Sequence, residues 1–130
     1  GKKTTERKAA AIYSFIVKNF EYDYDLADAI RSGKIRAYTP DPNSILENEK
    51  GICYDLAALY AAMCRSQGIP CMLVRGYSTK VTGYHAWNAV YDEESGEWKL
   101  IDPTVGVVRG AGKTKTWPKV RGTYTLKSAA

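Results

Sequence analysis

The stretch GICYDLAALYAAMCRSQG, residues 51–68, decides the fold of this chain. Its Ala, Leu and Met residues favour a helix, and Arg65 and Gly68 are typical of the last turn of a helix and of the position just beyond it. One face carries the larger apolar residues, and alanines cover most of the remaining surface. We therefore expect a central helix that packs on more than one side. The larger apolar residues are Leu56, Leu59, Tyr60 and Met63.

Cys53 lies in the opening turn of this predicted helix. The unpaired backbone amides and the positive dipole end at that position favour the thiolate over the thiol. Cys53 is therefore the first candidate nucleophile. Its own backbone N–H is the natural first donor to an oxyanion that forms beside the sulfur.

The rest of the chain predicts helices before this stretch and strands after it. Apolar residues at steps of three and four predict an amphipathic helix from Glu6 to about Phe20, a shorter helix covers Leu26–Ser32, and residues 38–48 form a loop with a helical turn at 44–46. The predicted strands are 71–77, 85–91, 97–101 and 122–127. The Gly/Lys-rich segment beyond Asp102-Pro103-Thr104, through 112–118, is predicted to be a loop. This order indicates an α+β fold, in which early helices and the central nucleophile-bearing helix pack on a C-terminal antiparallel sheet.

The length of 130 residues, 45% of them hydrophobic, predicts one domain with a core of about residues 6–127. The net charge of +5 comes from cations concentrated near both ends. Solvated surface charge, or attraction to an anionic cell surface, explains them better than nucleic-acid binding, so we expect no nucleic-acid partner. No apolar run reaches the roughly 20 residues of a transmembrane segment.

The start of the chain, Gly1-Lys2-Lys3, resembles a cut end, so we expect the domain to have been excised from a longer protein. The basic charge and the small size favour an extracellular or cell-surface location slightly over a cytoplasmic one. The oligomeric state has no signal in the sequence.

Three cysteines leave at least one unpaired in a monomer. Cys64 ends the predicted helix and Cys71 opens the next strand, so these two are expected to approach each other, either bonded or merely buried. A zinc site is not expected, because the chain has no C-x-x-C pair. Cys53 and Cys64 would also lie roughly 16 Å apart, at about 1.5 Å per helical residue.

His85 is the only histidine, so a cysteine that relies on imidazole must use it. By itself, a single histidine in an aromatic strand is more often structural than catalytic. The hairpin that follows favours a catalytic role. Side chains alternate between the faces of a strand, so Trp87 shares the face of His85, and Trp98 shares the face of Asp102 on the next strand. If the aromatic residues of both strands form one core-facing layer, Asp102 lies near His85.

An aspartate beside the far nitrogen of the imidazole fixes its tautomer and favours the imidazolium. His85 can then hold Cys53 as a thiolate and later protonate a leaving group. The alternative for Asp102 is that Asp-Pro simply ends a strand.

Five short motifs in this order resemble the transglutaminase-like superfamily. They are GICYDLA (51–57), CRSQGIP (64–70), VRGY (74–77), HAWNAV (85–90) and WKLIDPT (98–104). The resemblance implies a papain-like α+β fold, with Cys53 as nucleophile, His85 as general base and acid, and Asp102 as the orienting residue. It further implies a protein or peptide substrate. No cofactor or metal is expected, because the chain is too short for the accessory domains of large calcium-regulated transglutaminases.

The resemblance leaves the reaction and part of the site open. A thioester acyl-enzyme can be resolved by an amine, which is acyl transfer, or by water, which makes the protein a peptidase or amidase; a catalytically silent binding module with the same fold is the third alternative. The second oxyanion donor is sought among Tyr22, Tyr24, Asn43 and Asn48, with Tyr22 or Tyr24 favoured among these four. The alternative for Tyr22 and Tyr24 is that they merely pack over the end of the helix. Trp87 is expected beside His85, either in the core or lining a substrate groove.

Overall fold

The computed structural model describes residues 4–130, so Lys2 and Lys3 of the N-terminal cations lie outside the described residues. The helices are α1 Thr5–Asn19, α2 Tyr24–Arg31, α3 Pro42–Asn48, α4 Cys53–Ser66 and α5 Pro103–Arg109. The strands are β1 Glu21–Tyr22, β2 Lys50–Gly51, β3 Cys71–Ser78, β4 Val81–Asp92, β5 Glu97–Ile101 and β6 Tyr124–Ala129. Helices α1 to α4 precede an antiparallel sheet of order β5-β4-β3-β6, and α5 lies between β5 and β6; the predicted α+β fold is confirmed.

Helix α4 is central, as its alanine-rich sequence predicts. Leu56 and Tyr60 are completely buried, and the Tyr60 hydroxyl donates to the Ala9 carbonyl of α1 at 2.8 Å. On the other side, the Asn88 amide of β4 donates to the Ala57 carbonyl at 2.9 Å. The helix is thus held between α1 and the sheet, which fixes the position of its first turn.

The register of the β4–β5 hairpin is the expected one, but at its Tyr91–Trp98 end the core-facing side is the opposite of the prediction. Tyr91 pairs with Trp98 and their rings lie 5.3 Å apart, so the predicted aromatic layer forms. However, Trp98 is 48% exposed, whereas Val90 and Ile101 are completely buried in the core. A helix covered with alanine approaches the sheet closely, so at this end the smaller side chains face it and the rings of Tyr91 and Trp98 point away, whereas Trp87 stays buried beside His85.

Two helices occupy segments that were predicted mainly as loops. Helix α3 begins at Pro42 after Asp41, whose side chain accepts from the Asn43 N–H at 3.1 Å. Helix α5 begins at Pro103, and Asp102 caps it. Aspartate followed by proline is typical both of a turn and of a helix start, and these sequences are too short for periodicity to decide between the two.

None of the helices formed by residues 4–130 is long and apolar enough to cross a membrane.

Candidate functional site

The first turn of α4 holds Cys53 as its first helical residue, with Ile52 as the N-cap. The apolar side chain of Ile52 cannot cap the helix. Instead, the Asp55 carboxylate accepts from the Ile52 backbone N–H at 2.9 Å, and the Tyr38 hydroxyl donates to the other oxygen of Asp55 at 2.6 Å. This chain of contacts fixes the backbone next to Cys53, while the Cys53 side chain itself is half-buried.

His85 and Asp102 meet across the end of the β4–β5 hairpin, as their shared face predicts. The His85 Nε2 lies 2.8 Å from Asp102 Oδ2. His85 is 1% exposed and Asp102 is 4% exposed. Asp102 Oδ1 also accepts from the Val105 N–H of α5 at 3.3 Å, so the carboxylate is both the N-cap of a helix and the partner of the imidazole.

The protonated form of His85 is favoured by its neighbours. Burial alone would lower the pKa of the imidazole, but the hydrogen bond to Asp102 and the interaction with Cys53 outweigh it and raise the pKa to about 9. Within the described part of the chain, Nδ1 has no hydrogen-bond partner. Since Nε2 is taken by Asp102, Nδ1 is the nitrogen left for Cys53.

Tyr22 is brought to the site by a two-residue parallel bridge that sequence reasoning missed. Strand β1 pairs with β2, with Tyr22 opposite Gly51, and the Asp23 N–H donates to the Gly51 carbonyl at 2.9 Å. Burial and the charge of Cys53 raise the pKa of Tyr22 to about 12, so its phenol is a hydrogen-bond donor at neutral pH. Tyr24 packs edge-on against Tyr22 at 4.8 Å and is 62% exposed.

A cleft of about 730 Å³ lies over these residues. Cys53, His85, Tyr22 and Tyr24 line it, whereas the other two oxyanion candidates, Asn43 and Asn48, belong to α3 and do not. The walls are mostly apolar, with cations from α2, from the turn between β3 and β4, and from α5. The remaining lining residues used below are Arg31, Lys80, Thr104, Val108 and Arg109.

Trp87 does not line the cleft. It is 3% exposed, and its ring lies 5.9 Å from that of His85 on one side and 4.9 Å from that of Tyr124 on the other. Trp87 therefore packs behind the imidazole ring of His85, which agrees with the core alternative for this residue and not with the groove.

Tyr124 is a residue of the site that sequence reasoning missed. It begins β6, and its hydroxyl donates to Asp102 Oδ2 at 2.6 Å. A tyrosine in a C-terminal strand carries no motif. Strand β6 pairs with β3, so that Tyr124 lies opposite Ser78, which is 46 residues earlier in the chain. Only this pairing brings the Tyr124 hydroxyl to the carboxylate.

Cys64 and Cys71 lie together as free, buried thiols, which decides between the two alternatives for this pair. The contact with Cys71, against the effect of burial, lowers the pKa of the Cys64 thiol. Among residues 4–130, no group of three or more histidine, cysteine or acidic side chains has the arrangement of a metal site.

Comparison with known proteins gives the same family as the motifs. The sequence profile of the family described as "Transglutaminase-like superfamily" matches residues 1–103. Kyphoscoliosis peptidase of Homo sapiens is 37% identical over 114 residues, which cover 79% of this chain and 16% of that protein. The chain therefore spans only a small part of the length of this relative.

Solved structures share the fold. A structure of a TGase has a TM-score of 0.62 at 21% identity and covers 79% of this chain and 27% of its own. LapG of Legionella pneumophila has a TM-score of 0.57 at 19% identity, over 74% of this chain and 52% of its own. Together with the profile match and the human relative, this papain-like architecture shows that the chain belongs to the transglutaminase-like superfamily.

Proposed function

We propose that this protein is a thiol enzyme that attacks amide bonds of proteins or peptides and forms an acyl-enzyme on Cys53. The observation that carries the proposal is the 2.8 Å contact of His85 with Asp102, on a ring whose free nitrogen is left for Cys53. Membership of the superfamily supports the broader class of papain-like cysteine enzymes. The name of the human relative, a peptidase, agrees with a protein or peptide substrate.

In the first half of the proposed reaction, the Cys53 thiolate forms a bond from Sγ to the carbonyl carbon, and the carbonyl electron pair moves to oxygen. The His85 imidazolium then gives its Nδ1 proton to the amide nitrogen. The C–N bond breaks, the amine leaves and a thioester remains. Asp102 keeps the Nε2–H in place, so the proton that moves is the one on Nδ1.

In the second half, water attacks the thioester carbonyl and gives a proton to Nδ1 of His85. The C–S bond breaks, the acid is released, and the thiolate–imidazolium pair is restored. An amine in place of water yields a new amide by the same steps. The exposed walls of the cleft, such as Tyr24 and Val108 at 62% and 54%, favour water as the acceptor, because transfer requires its exclusion.

The negative oxygen of the tetrahedral intermediate needs two donors. The Cys53 backbone N–H is the first, since the start of α4 leaves it without a helical partner. Tyr22 is the second in this proposal, because its phenol lines the cleft beside Cys53 and keeps its proton with a pKa of about 12.

The test is incubation with a glutamine-containing protein and a fluorescent amine, followed by mass spectrometry of substrate and enzyme. Hydrolysis is expected: cleaved or deamidated product without the amine, and a hydroxylamine-sensitive adduct on Cys53 in rapidly quenched samples. Incorporation of the amine would instead assign acyl transfer.

The matched control is Cys53→Ala, which removes the half-buried thiol and must abolish both product and adduct. If wild type and Cys53→Ala behave alike across a panel of unrelated substrate proteins, the proposed enzyme is wrong and the silent binding module takes its place.

A further inference from the structure

The Asp102 carboxylate has two donors on the same oxygen. Oδ2 accepts from His85 Nε2 at 2.8 Å and from the Tyr124 hydroxyl at 2.6 Å. Tyr124 lies outside residues 1–103, the stretch that the superfamily profile matches. The closest hydrogen bond to the acidic residue of the site therefore comes from a part of the chain outside the matched region.

Strand β6 is built so that Tyr124 reaches this oxygen. It pairs antiparallel with β3, with Tyr124 opposite Ser78 and Leu126 opposite Gly76. A side chain at Gly76 would overlap the Thr125 carbonyl oxygen and the Trp87 ring, so glycine permits the close approach of β6. The Tyr124 ring then packs edge-on against Trp87, which in turn lies against His85.

We infer that Tyr124 is a positioning residue for the triad: its O–H holds Asp102 Oδ2 in line with His85 Nε2 and shares the negative charge of this oxygen, whose only other donor among residues 4–130 is the imidazole. This inference rests on the proposed function for its catalytic meaning. The contact itself is testable without turnover, because His85 is the only histidine in the chain.

The physical consequence is that the Tyr124 hydroxyl makes His85 less basic than it would be if Asp102 Oδ2 bonded to the imidazole alone. A hydrogen bond to a carboxylate stabilises its charge, so a second donor weakens the pull of Asp102 on the imidazolium proton. Removing the Tyr124 hydroxyl concentrates the charge of Oδ2 on His85. The protonated ring should then persist to higher pH.

The other titratable groups around the pair stay in place in such a variant. Cys53 of α4 faces the His85 ring. The charge of Asp102 acts on Tyr13 of α1, Arg109 of α5 acts on Tyr13 and Tyr124, and Ser78 of β3 lies beside the Tyr124 hydroxyl. The shift therefore reports the loss of a single O–H donor.

The experiment is an NMR titration of the His85 Cε1–H resonance in the whole chain, comparing wild type with Tyr124→Phe. Phenylalanine keeps the packing against Trp87 and removes only the hydroxyl. An upward shift of the His85 midpoint by roughly 0.5 to 1 pH unit is expected. The matched control is Tyr77→Phe, which removes a hydroxyl from the adjacent β3 and should leave the midpoint unchanged.

Site-specific replacement of Tyr124 by 3-fluorotyrosine provides a second, opposite test. The more acidic phenol is a stronger donor, so the His85 midpoint should move down while the fold is retained. A midpoint that stays constant in both variants, or moves in the reverse directions, overturns the inference and leaves Tyr124 as a packing residue. Because this measurement needs no substrate, its result is independent of whether any amide is cleaved.

Discussion

For single residues, the protonation state of His85 is the property of the structure on which the rate of amide cleavage depends most directly. The pKa of this group is raised to about 9 from an ordinary value of 6.5 because Asp102 and Cys53 outweigh burial. The sign follows from the raised pKa: the contribution of the imidazolium to stability is complete below about pH 6.5 and is lost as pH rises through about 9.

Amide cleavage needs that proton for the leaving amine, so the rate should fall as pH rises through about 9. The measurement is kcat against pH with a reporter peptide. In Asp102→Asn the alkaline limb should move to lower pH, because the amide carries no charge to hold the imidazolium. An alkaline limb that Asp102→Asn leaves in place would separate Asp102 from the function of His85.

Tyr22 gives the second prediction at this scale. Tyr22→Phe removes one of the two proposed oxyanion donors and should lower kcat by roughly 10²-fold with little change in KM, because the donor acts only when negative charge develops. Steady-state kinetics on the same peptide measure both constants. If Tyr24→Phe carries this loss and Tyr22→Phe does not, the second donor is Tyr24 instead.

At the scale of secondary structure, helix α4 supports the site through its burial. Leu56 is completely buried three residues after the nucleophile, so Leu56→Ala should lower the free energy of unfolding by about 2–5 kcal/mol. Leu46→Ala on α3 is the control, because Leu46 is 46% exposed and its loss should cost within about 0.5 kcal/mol. Urea denaturation measures both; equal losses would mean that α4 is not the centre of the core.

The elements that carry Cys53, His85 and Asp102 are predictable from sequence, because each depends on a local signal. These signals are an alanine-rich helix with a cysteine in its first turn, and a hairpin whose alternation puts His85 and Asp102 on one face. The core-facing side of that hairpin is not predictable from the strands alone, since it depends on how closely α4 approaches. Tyr22 and Tyr124 reach the site through pairings between distant segments, which no local pattern records.

At the scale of the whole molecule, the excess of positive charge extends into the cleft. Arg31, Lys80 and Arg109 line it, and within residues 4–130 no Asp or Glu does. Peptides with acidic residues beside the scissile amide should therefore react several-fold faster than otherwise identical peptides with lysine there, and the advantage should shrink with salt, whose screening length is about 10 Å at 0.1 M.

The comparison of kcat/KM for such peptide pairs measures this preference. Lys80→Gln should reduce it, whereas Arg7→Gln on α1, which removes an exposed cation remote from this cleft, should not. A preference that is insensitive to salt and to Lys80 would show that the cleft does not select by charge.

The most direct measurement of the Cys53–His85 pair is the rate of Cys53 alkylation by iodoacetamide as a function of pH, in wild type and His85→Ala. Cys64 and Cys71 are buried, so the native chain should take up one label, at Cys53. Wild type should react rapidly even at pH 6–7, where a free cysteine is almost entirely thiol, and His85→Ala should lose this low-pH reactivity. If both proteins follow the pH profile of an ordinary thiol, His85 does not hold Cys53 as a thiolate and the proposed site is wrong.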